Sequence, residues 1–325
     1  MGIFPEVPFR PSAPAADSLS VRSLQVKRVV SISIGSSRRD KAAEIELLGE
    51  RIQLERIGTD GDMERAACLF QELDGHVDAF GVGGADLGCR VDQKWYPLYS
   101  VRPMVRHIRQ TPVVDGGGLK NTLERQLAPL LDAQLGDRVT PRRCLVTSGA
   151  DRWGMAMSFY HAGYECVFGD LMFALGLPIA LRSEAALKRV ATVVLPIAGR
   201  LPFHWLYPTG DKQEVRTPRW GEHYAWAKVI AGDAHFIKRY APNRLSGKII
   251  VTNTTTAEDV ELFRSWGCSH LVTSTPVLDG RTFGTNLLEA ALVALAGQHR
   301  PLSQDELQTL LDRLDLQPQL RPLNP

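Results

Sequence analysis

Residues 143–170, RCLVTSGADRWGMAMSFYHAGYECVFGD, decide the fold class. A short apolar strand runs into a Thr-Ser-Gly turn. A helix follows from Met155 to His161, and a second strand ends at Phe168-Gly169-Asp170. Short Val/Ile-rich strands that alternate with helices, each bounded by turn residues, predict a parallel sheet covered on both faces. The pattern continues downstream. ATVVLP (191–196), AKVIAGD (227–233), KIIVTNT (248–254) and HLVTSTP (270–276) are expected strands. Helices are expected around 184–189, 234–240 and 257–265, the last with a Thr256–Asp259 capping box, and NLLEAALVALAG (286–297), with Asn286 as its N-cap, is expected to pack on the strand at 270.

Upstream, VKRVVSISIG predicts a first strand from Lys27 to Ile34, ending at Gly35-Ser36-Ser37. In AEIELLGERIQLERIG (43–58) apolar and polar residues alternate on either side of Gly49, which predicts a β-hairpin. Asp62 is a suitable N-cap for MERAACLFQEL. VDAFGVGG gives a strand and glycine loop, and SVRPMVRHIRQ (100–110) a helix with Pro103 in its first turn. TPVVDGGGLKN gives strand, loop and a helix opening near Leu119.

The expectation is an α/β protein with two Rossmann-like three-layer domains, mostly parallel sheets and an N-terminal β-hairpin elaboration. Residues 1–26, rich in Pro and Ala, form a flexible arm, and 27–134 an N-terminal α/β domain. Residues 141–300 form a C-terminal Rossmann-like domain with an insertion at 199–224, and 301–325 a helix and tail opened by a Ser303–Glu306 capping box. A length of 325 residues is comfortable for two domains.

A net charge of +2 gives no electrostatic case for nucleic acid. No stretch is apolar for long enough to span a membrane as a helix. Five scattered cysteines are not a disulfide framework and suit a reducing compartment, so a cytoplasmic location is expected. The histidines His204, His223 and His235 lack metal-ligand spacing, and no metal is expected. Asp170 and Asp233 at strand ends either cap the following helices or share a divalent cation with a phosphorylated ligand.

Ligands of open α/β sheets bind outside the carboxyl ends of the strands, and polar residues collect there. DGGGLKN offers Gly116, Gly117 and Gly118 as a backbone anion nest opening a helix, with Lys120 adding positive charge and Asp115 a carboxylate. Gly81, Gly83 and Gly84 of GVGGAD partly match a dinucleotide loop, but position 86 is Asp where that pattern has Gly. Ser148, Thr254, Thr255, Ser274 and Thr275 add hydroxyls at later strand ends. Asp151 serves as a helix cap, and Arg152 either neutralises an anion or faces solvent. Trp205, Tyr207, Trp220 and Tyr224, beside arginines in the insertion, suit a lid or a contact between copies of the chain. The ligand implied is an anionic small molecule.

ERIGTDGDM (55–63), VDAFGVGGADL (77–87), TPVVDGGGLKNTLER (111–125), GDLMFALG (169–176) and RTFGTNLLEA (281–290) together resemble a bacterial group known as quinate 5-dehydrogenases, over most of 28–296. The resemblance implies oxidation of a hydroxylated carboxylic acid by NAD or NADP. Lys120 would then be the acid/base, with Asp86 or Asp115 as its partner. The order of motifs differs from quinate and shikimate dehydrogenases proper, in which the lysine–aspartate pair precedes the glycine loop. Two alternatives stay open: another enzyme that binds a phosphorylated or carboxylated metabolite, and a sensor without turnover.

Overall fold

The computed structural model describes residues 26–206, 216–275, 277–278 and 281–324. Nearly all of the expected N-terminal arm, and Tyr207 of the insertion, lie outside these residues.

The first lobe comprises Lys27–Ser33 (β1), Lys41–Leu47 (β2), Glu50–Gly58 (β3), Met63–Leu73 (α1), Ala79–Gly83 (β4), the hairpin Gly88–Val91 and Lys94–Pro97 (β5, β6), and Val113–Val114 (β7). Its sheet has the order β2-β3-β1-β4-β7. β2 and β3 form the antiparallel hairpin, and β3, β1, β4 and β7 run parallel. Gly49 turns the hairpin at φ +80°, which a glycine adopts without penalty.

Gly117–Asn121 (α2), a 3-10 turn at Leu123–Gln126 and Leu127–Leu135 (α3) lead to the second lobe. There Arg143–Val146 (β8), Trp153–His161 (α4), Glu165–Phe168 (β9), Asp170–Leu175 (α5), Glu184–Ala198 (α6), Phe203–Leu206 (α7) and Gly221–Trp226 (α8) precede Val229–Ala231 (β10). Ala234–Tyr240 (α9), Ile249–Thr252 (β11), Ala257–Ser265 (α10) and His270–Thr273 (β12) complete the repeat. The small pair Val277–Leu278 and Arg281–Thr282 (β13, β14), Thr285–Ala296 (α11), Gln304–Arg313 (α12) and Gln319–Pro322 (β15) close the chain. The second sheet has the order β15-β12-β11-β10-β8-β9, parallel except for β15.

The architecture is thus α/β, with two Rossmann-like sheets each covered on both faces. Alternation along the strands does the sorting. In the second sheet Cys144, Val146, Val229 and Val251 face Leu131, Trp153, Phe159 and Leu187 of α3, α4 and α6. Leu145, Ile230 and Ile250 face Phe173, Ile237 and Phe263 of α5, α9 and α10. In the first sheet Val30, Ile32, Phe80 and Val82 pack against Ala66 and Phe70 of α1.

The other face of the first sheet reveals a difference from the sequence expectation. No helix connects β1 to β3, because the hairpin takes that place. The missing layer is supplied by α11, whose Leu287, Ala290, Ala291 and Ala294 pack on Val29, Leu54, Ala79 and Val114. Local pattern assigns α11 to β12, but it covers the apolar face of β1, β3, β4 and β7 instead. α12 follows it there, joining Leu119, Leu123, Leu288 and Leu292 through Leu307, Leu310 and Leu311.

Three local expectations also change. ATVVLP is not a strand but the second half of α6, where Leu187 and Ala191, four residues apart, face the core. The exposed Val193 and Ile197 of that helix make its sequence look continuously apolar. SVRPMVRHIRQ gives only a 3-10 turn at Arg102–Val105, with the proline in its first turn. Asn286 is not the N-cap of α11; Gly284 is, and Asn286 donates instead to Ser31 Oγ at 2.6 Å. Among the described residues no helix is long and apolar enough to cross a membrane.

Candidate functional site

In each lobe one strand has later strands on both sides: β1 lies between β3 and β4, and β8 between β9 and β10. Such a reversal of strand order opens a crevice at the carboxyl ends of the strands. The β4 loop, α2 and the β8 loop converge there, and α2 and α4 come very close. A methyl group at Gly154 of α4 would lie 2.0 Å from the Lys120 carbonyl oxygen, so only glycine fits.

The convergence assembles a chain of buried charges. Lys120 Nζ donates to Asp86 Oδ1 at 2.8 Å and to Asp151 Oδ1 at 2.9 Å, tying the first lobe to the second. Arg152 donates to Glu124 and, at 3.0 Å, to Asp233 Oδ2. Asn253 Nδ2 lies 3.3 Å from the same Asp233 oxygen, and Ser274 Oγ 3.5 Å from Glu124 Oε1. Thr275 Oγ1 donates to the Asn253 carbonyl at 2.8 Å. The network therefore spans the ends of β4, β8, β10, β11 and β12.

Burial and charge oppose each other in it. Burial pushes the Asp86 carboxyl up to about 6, against the pull of Lys120. For Asp151 burial acts in the same sense, but Lys120 and Arg152 outweigh it and hold the group below its ordinary range. Asp233 is likewise held low, by Arg152 and His235 against burial. Glu124, wholly buried, is raised by burial despite Arg152. Burial would lower Lys120 and Arg152, yet their carboxylate neighbours hold both above their usual values.

The glycine loops have a different role from the one their sequence suggests. Three amides of the DGGGLKN segment are already taken. Gly117 donates to Asp115 Oδ1 at 2.9 Å, and Gly118 and Leu119 donate to Glu289 Oε2 at 2.8 and 3.2 Å. Burial, reinforced by Asp115, pushes Glu289 up to about 8. Gly116 is left-handed at φ +94°, and a methyl group there would meet the Asn286 amide nitrogen at 2.8 Å. The run is thus glycine so that α11 and α12 can lie against it. Asp115 also accepts from the Leu87 amide at 2.7 Å and serves the backbone. In GVGG, methyl groups at Gly81, Gly83 and Gly84 would press on Asn286, Ser33 and Ile34. After Gly84 the chain enters the β5–β6 hairpin, so this loop lacks the helix N-terminus that holds a pyrophosphate.

Of the candidates from sequence, Lys120 and Asp86 meet directly. Ser148 sits on the β8 loop beside Asp151 and Arg152. Ser274 and Thr275 are fully buried within the network, and Thr254 and Thr255 lie half-buried at the start of α10. Asp151 is not a cap, since it is committed to Lys120. Asp233 does cap α9, accepting from His235 N at 2.8 Å. Asp170 accepts instead from the amides of Gly149 and Ala150 at 3.0 and 2.8 Å. Sequence reasoning missed Glu124 and Glu289. Glu289 had a signal, as the lone acid of an otherwise apolar helix. Glu124 follows Lys120 by four residues, which on a helical course places it on the same side.

Buried polar atoms without a hydrogen-bond partner cluster at this crevice. Asn121 Oδ1, Glu124 Oε2, Thr147 Oγ1, Ser148 Oγ and Arg152 Nε are all of this kind. Native interiors keep few such atoms, and here five fall within 32 residues of sequence that fold to one place. Among the described residues no group of three or more His, Cys, Asp or Glu is placed to hold a metal ion.

The fold has distant counterparts. The chain is similar to the NAD-dependent malic enzyme of Thermotoga maritima, with 13% identity over 95% of this chain and 87% of that one, at a TM-score of 0.39. It is similar to the malic enzyme of Entamoeba histolytica at 12% identity, covering 87% and 61%, with a TM-score of 0.37. A periplasmic ribose ABC transporter structure from Conexibacter woesei matches at 10% identity, covering 88% and 95%, with a TM-score of 0.33. Likeness this low carries no argument about chemistry. No curated protein matches the sequence. A model described as Domain of unknown function (DUF8753) matches residues 28–115. The remainder, which carries Lys120, Glu124, Asp151, Arg152, Asp233 and Glu289, is matched over residues 118–323 by the model described as Domain of unknown function (DUF8754), and the chain belongs to that family.

Proposed function

We propose that this protein binds a small organic metabolite in the crevice between the lobes, at the carboxyl ends of β8 and β10 and beside Lys120. The observation that carries the reading is the cluster of unpartnered buried polar atoms on Asn121, Glu124, Thr147, Ser148 and Arg152. Each such atom costs about 1–3 kcal/mol unless something satisfies it, and a polar ligand would satisfy several at once. Native mass spectrometry of the purified full-length protein tests this. A small molecule released on denaturation, or a rise in melting temperature with a panel of sugars, cyclitols and their phosphates that Ser148→Ala diminishes, supports the reading. A folded protein that releases nothing and responds to none of the panel overturns it.

A second reading, hydride transfer to NAD or NADP from a quinate-like hydroxy acid, is favoured by the 2.8 Å contact between Lys120 and Asp86. That pair can relay a hydroxyl proton. The engaged amides and packing glycines of the first lobe weigh against a dinucleotide in GVGG. Titration with NADH and NADPH, followed by nicotinamide fluorescence, separates the readings: saturable binding favours the dehydrogenase, and no binding leaves metabolite recognition alone.

A further inference from the structure

We infer that the crevice selects an uncharged ligand bearing several hydroxyl groups, a sugar or cyclitol, over a phosphorylated or carboxylated one; this rests on the crevice being a metabolite site at all. Three observations point the same way.

The cations are spent and hidden. The Lys120 side chain is 9% exposed and held by two carboxylates, and Arg152 is 4% exposed and held by Glu124 and Asp233. The carboxylates are the groups turned outward, with Asp151 39%, Asp233 25% and Asp86 21% exposed. An approaching anion would meet like charge first, and both cations of the network are already neutralised.

The amides are spent as well. The loops that ought to cradle a phosphate hold the protein's own carboxylates instead. Asp170 takes Gly149 and Ala150, and Asp115 and Glu289 take Gly117, Gly118 and Leu119. A phosphate needs several such donors.

What is left over is one donor, Arg152 Nε, beside two acceptors and two hydroxyls. Glu124, 0% exposed, keeps Oε2 without a partner, and Asn121 keeps Oδ1. Thr147, 1% exposed, and Ser148 keep hydroxyls that both donate and accept. Glu124 Oε2 and Asn121 Oδ1 are acceptors that call for O–H donors from a ligand. A neutral polyol supplies these donors, and a fully ionised phosphate supplies none.

The test uses the full-length protein and matched pairs: D-ribose with ribose 5-phosphate, and myo-inositol with inositol monophosphate, alongside quinate. Calorimetry measures each, and circular dichroism verifies the fold of each variant. The expected result is that a neutral member binds at least about tenfold more tightly than its charged counterpart, as the loss of one charge-assisted hydrogen bond or more would give. Asp151→Asn should weaken that binding, while Ser148→Ala, which leaves the charges untouched, should weaken neutral and charged members alike. Preference for a phosphate or for quinate, strengthened by Asp151→Asn, overturns the selectivity but leaves the crevice as the site. No binding by any member, with no molecule released on denaturation, overturns the site itself.

Discussion

The strand-end loops of the two lobes all sit where ligands bind α/β sheets, yet they do opposite things. Gly81–Gly84 and Gly116–Gly118 have the composition of ligand loops, yet they lie against Ser33, Ile34, Asn286 and Leu307 of the same chain, and their engaged amides serve Asp115 and Glu289. The Thr147–Arg152 loop carries a single glycine, and it leaves Thr147 Oγ1, Ser148 Oγ and Arg152 Nε without partners. Glycine marks a place where backbone must approach something closely. Whether that something is a ligand or another helix of the protein is a separate matter, and unsatisfied polar atoms are the better guide to it.

That contrast can be broken at four points. The largest effect is expected from Arg152→Met. It strands Glu124 and Asp233, the former fully buried, and should cost about 3–5 kcal/mol in urea unfolding. The double variant with Glu124→Gln should recover part of that loss, because the stranded charge is removed with its partner. An Arg152→Met protein as stable as wild type would mean that the network is not a structural unit.

Next comes Gly116→Ala, which adds left-handed strain to a close contact with Asn286 and should cost about 2–4 kcal/mol. Gly49→Ala is the control. Gly49 has φ +80° but nothing within 4 Å, so only the strain of about 1–2 kcal/mol should appear. Equal losses at both sites would show that the glycine run is not there for packing.

The third effect is on pH dependence, and its sign differs between Glu289 and the aspartates Asp151 and Asp233. Glu289 is raised to about 8, so the native state keeps a proton that the unfolded chain has released. Its contribution is complete below the unfolded carboxyl value of about 4.3 and is lost as pH rises through about 8. The advantage of wild type over Glu289→Gln should therefore shrink between about pH 5 and pH 9. Asp151 and Asp233 are lowered, so their contribution is present above the unfolded value and lost as the solution is acidified. Melting curves of Glu289→Gln and Asp233→Asn across that range should diverge from wild type at opposite ends.

The smallest effect is expected from Ser148→Ala. Its hydroxyl has no partner, so stability should change by no more than about 0.5 kcal/mol. Metabolite affinity should fall all the same. A large loss of stability would assign Ser148 a structural role.

Features set by local chemistry were legible in the sequence. The alternation around Gly49 gives the hairpin, and Asp62 caps α1 by accepting from Arg65. The capping boxes Thr256–Asp259 and Ser303–Glu306 both form. Each involves residues a few positions apart, so the pattern carries the geometry. ATVVLP misled because an apolar run satisfies either period, and only the burial of Leu187 and Ala191 separates helix from strand. At the site, Lys120 and Asp86 could be nominated from their loops, but the grouping of Glu124, Arg152 and Asp233 could not. Their contacts join residues 28 and 81 positions apart.

The sequence by itself determined the α/β class, the alternating elements and the polar residues at strand ends, because periodicity, turn chemistry and capping act over a few residues. Tertiary structure decided that α11 crosses back to cover the first sheet and so brings Glu289 and Asn286 to the glycine loops. It also decided that the crevice shows carboxylates and hides its cations. Both follow from pairing across long separations: an apolar face takes the best surface it can reach in space, and a buried charge takes the counter-charge that packing delivers.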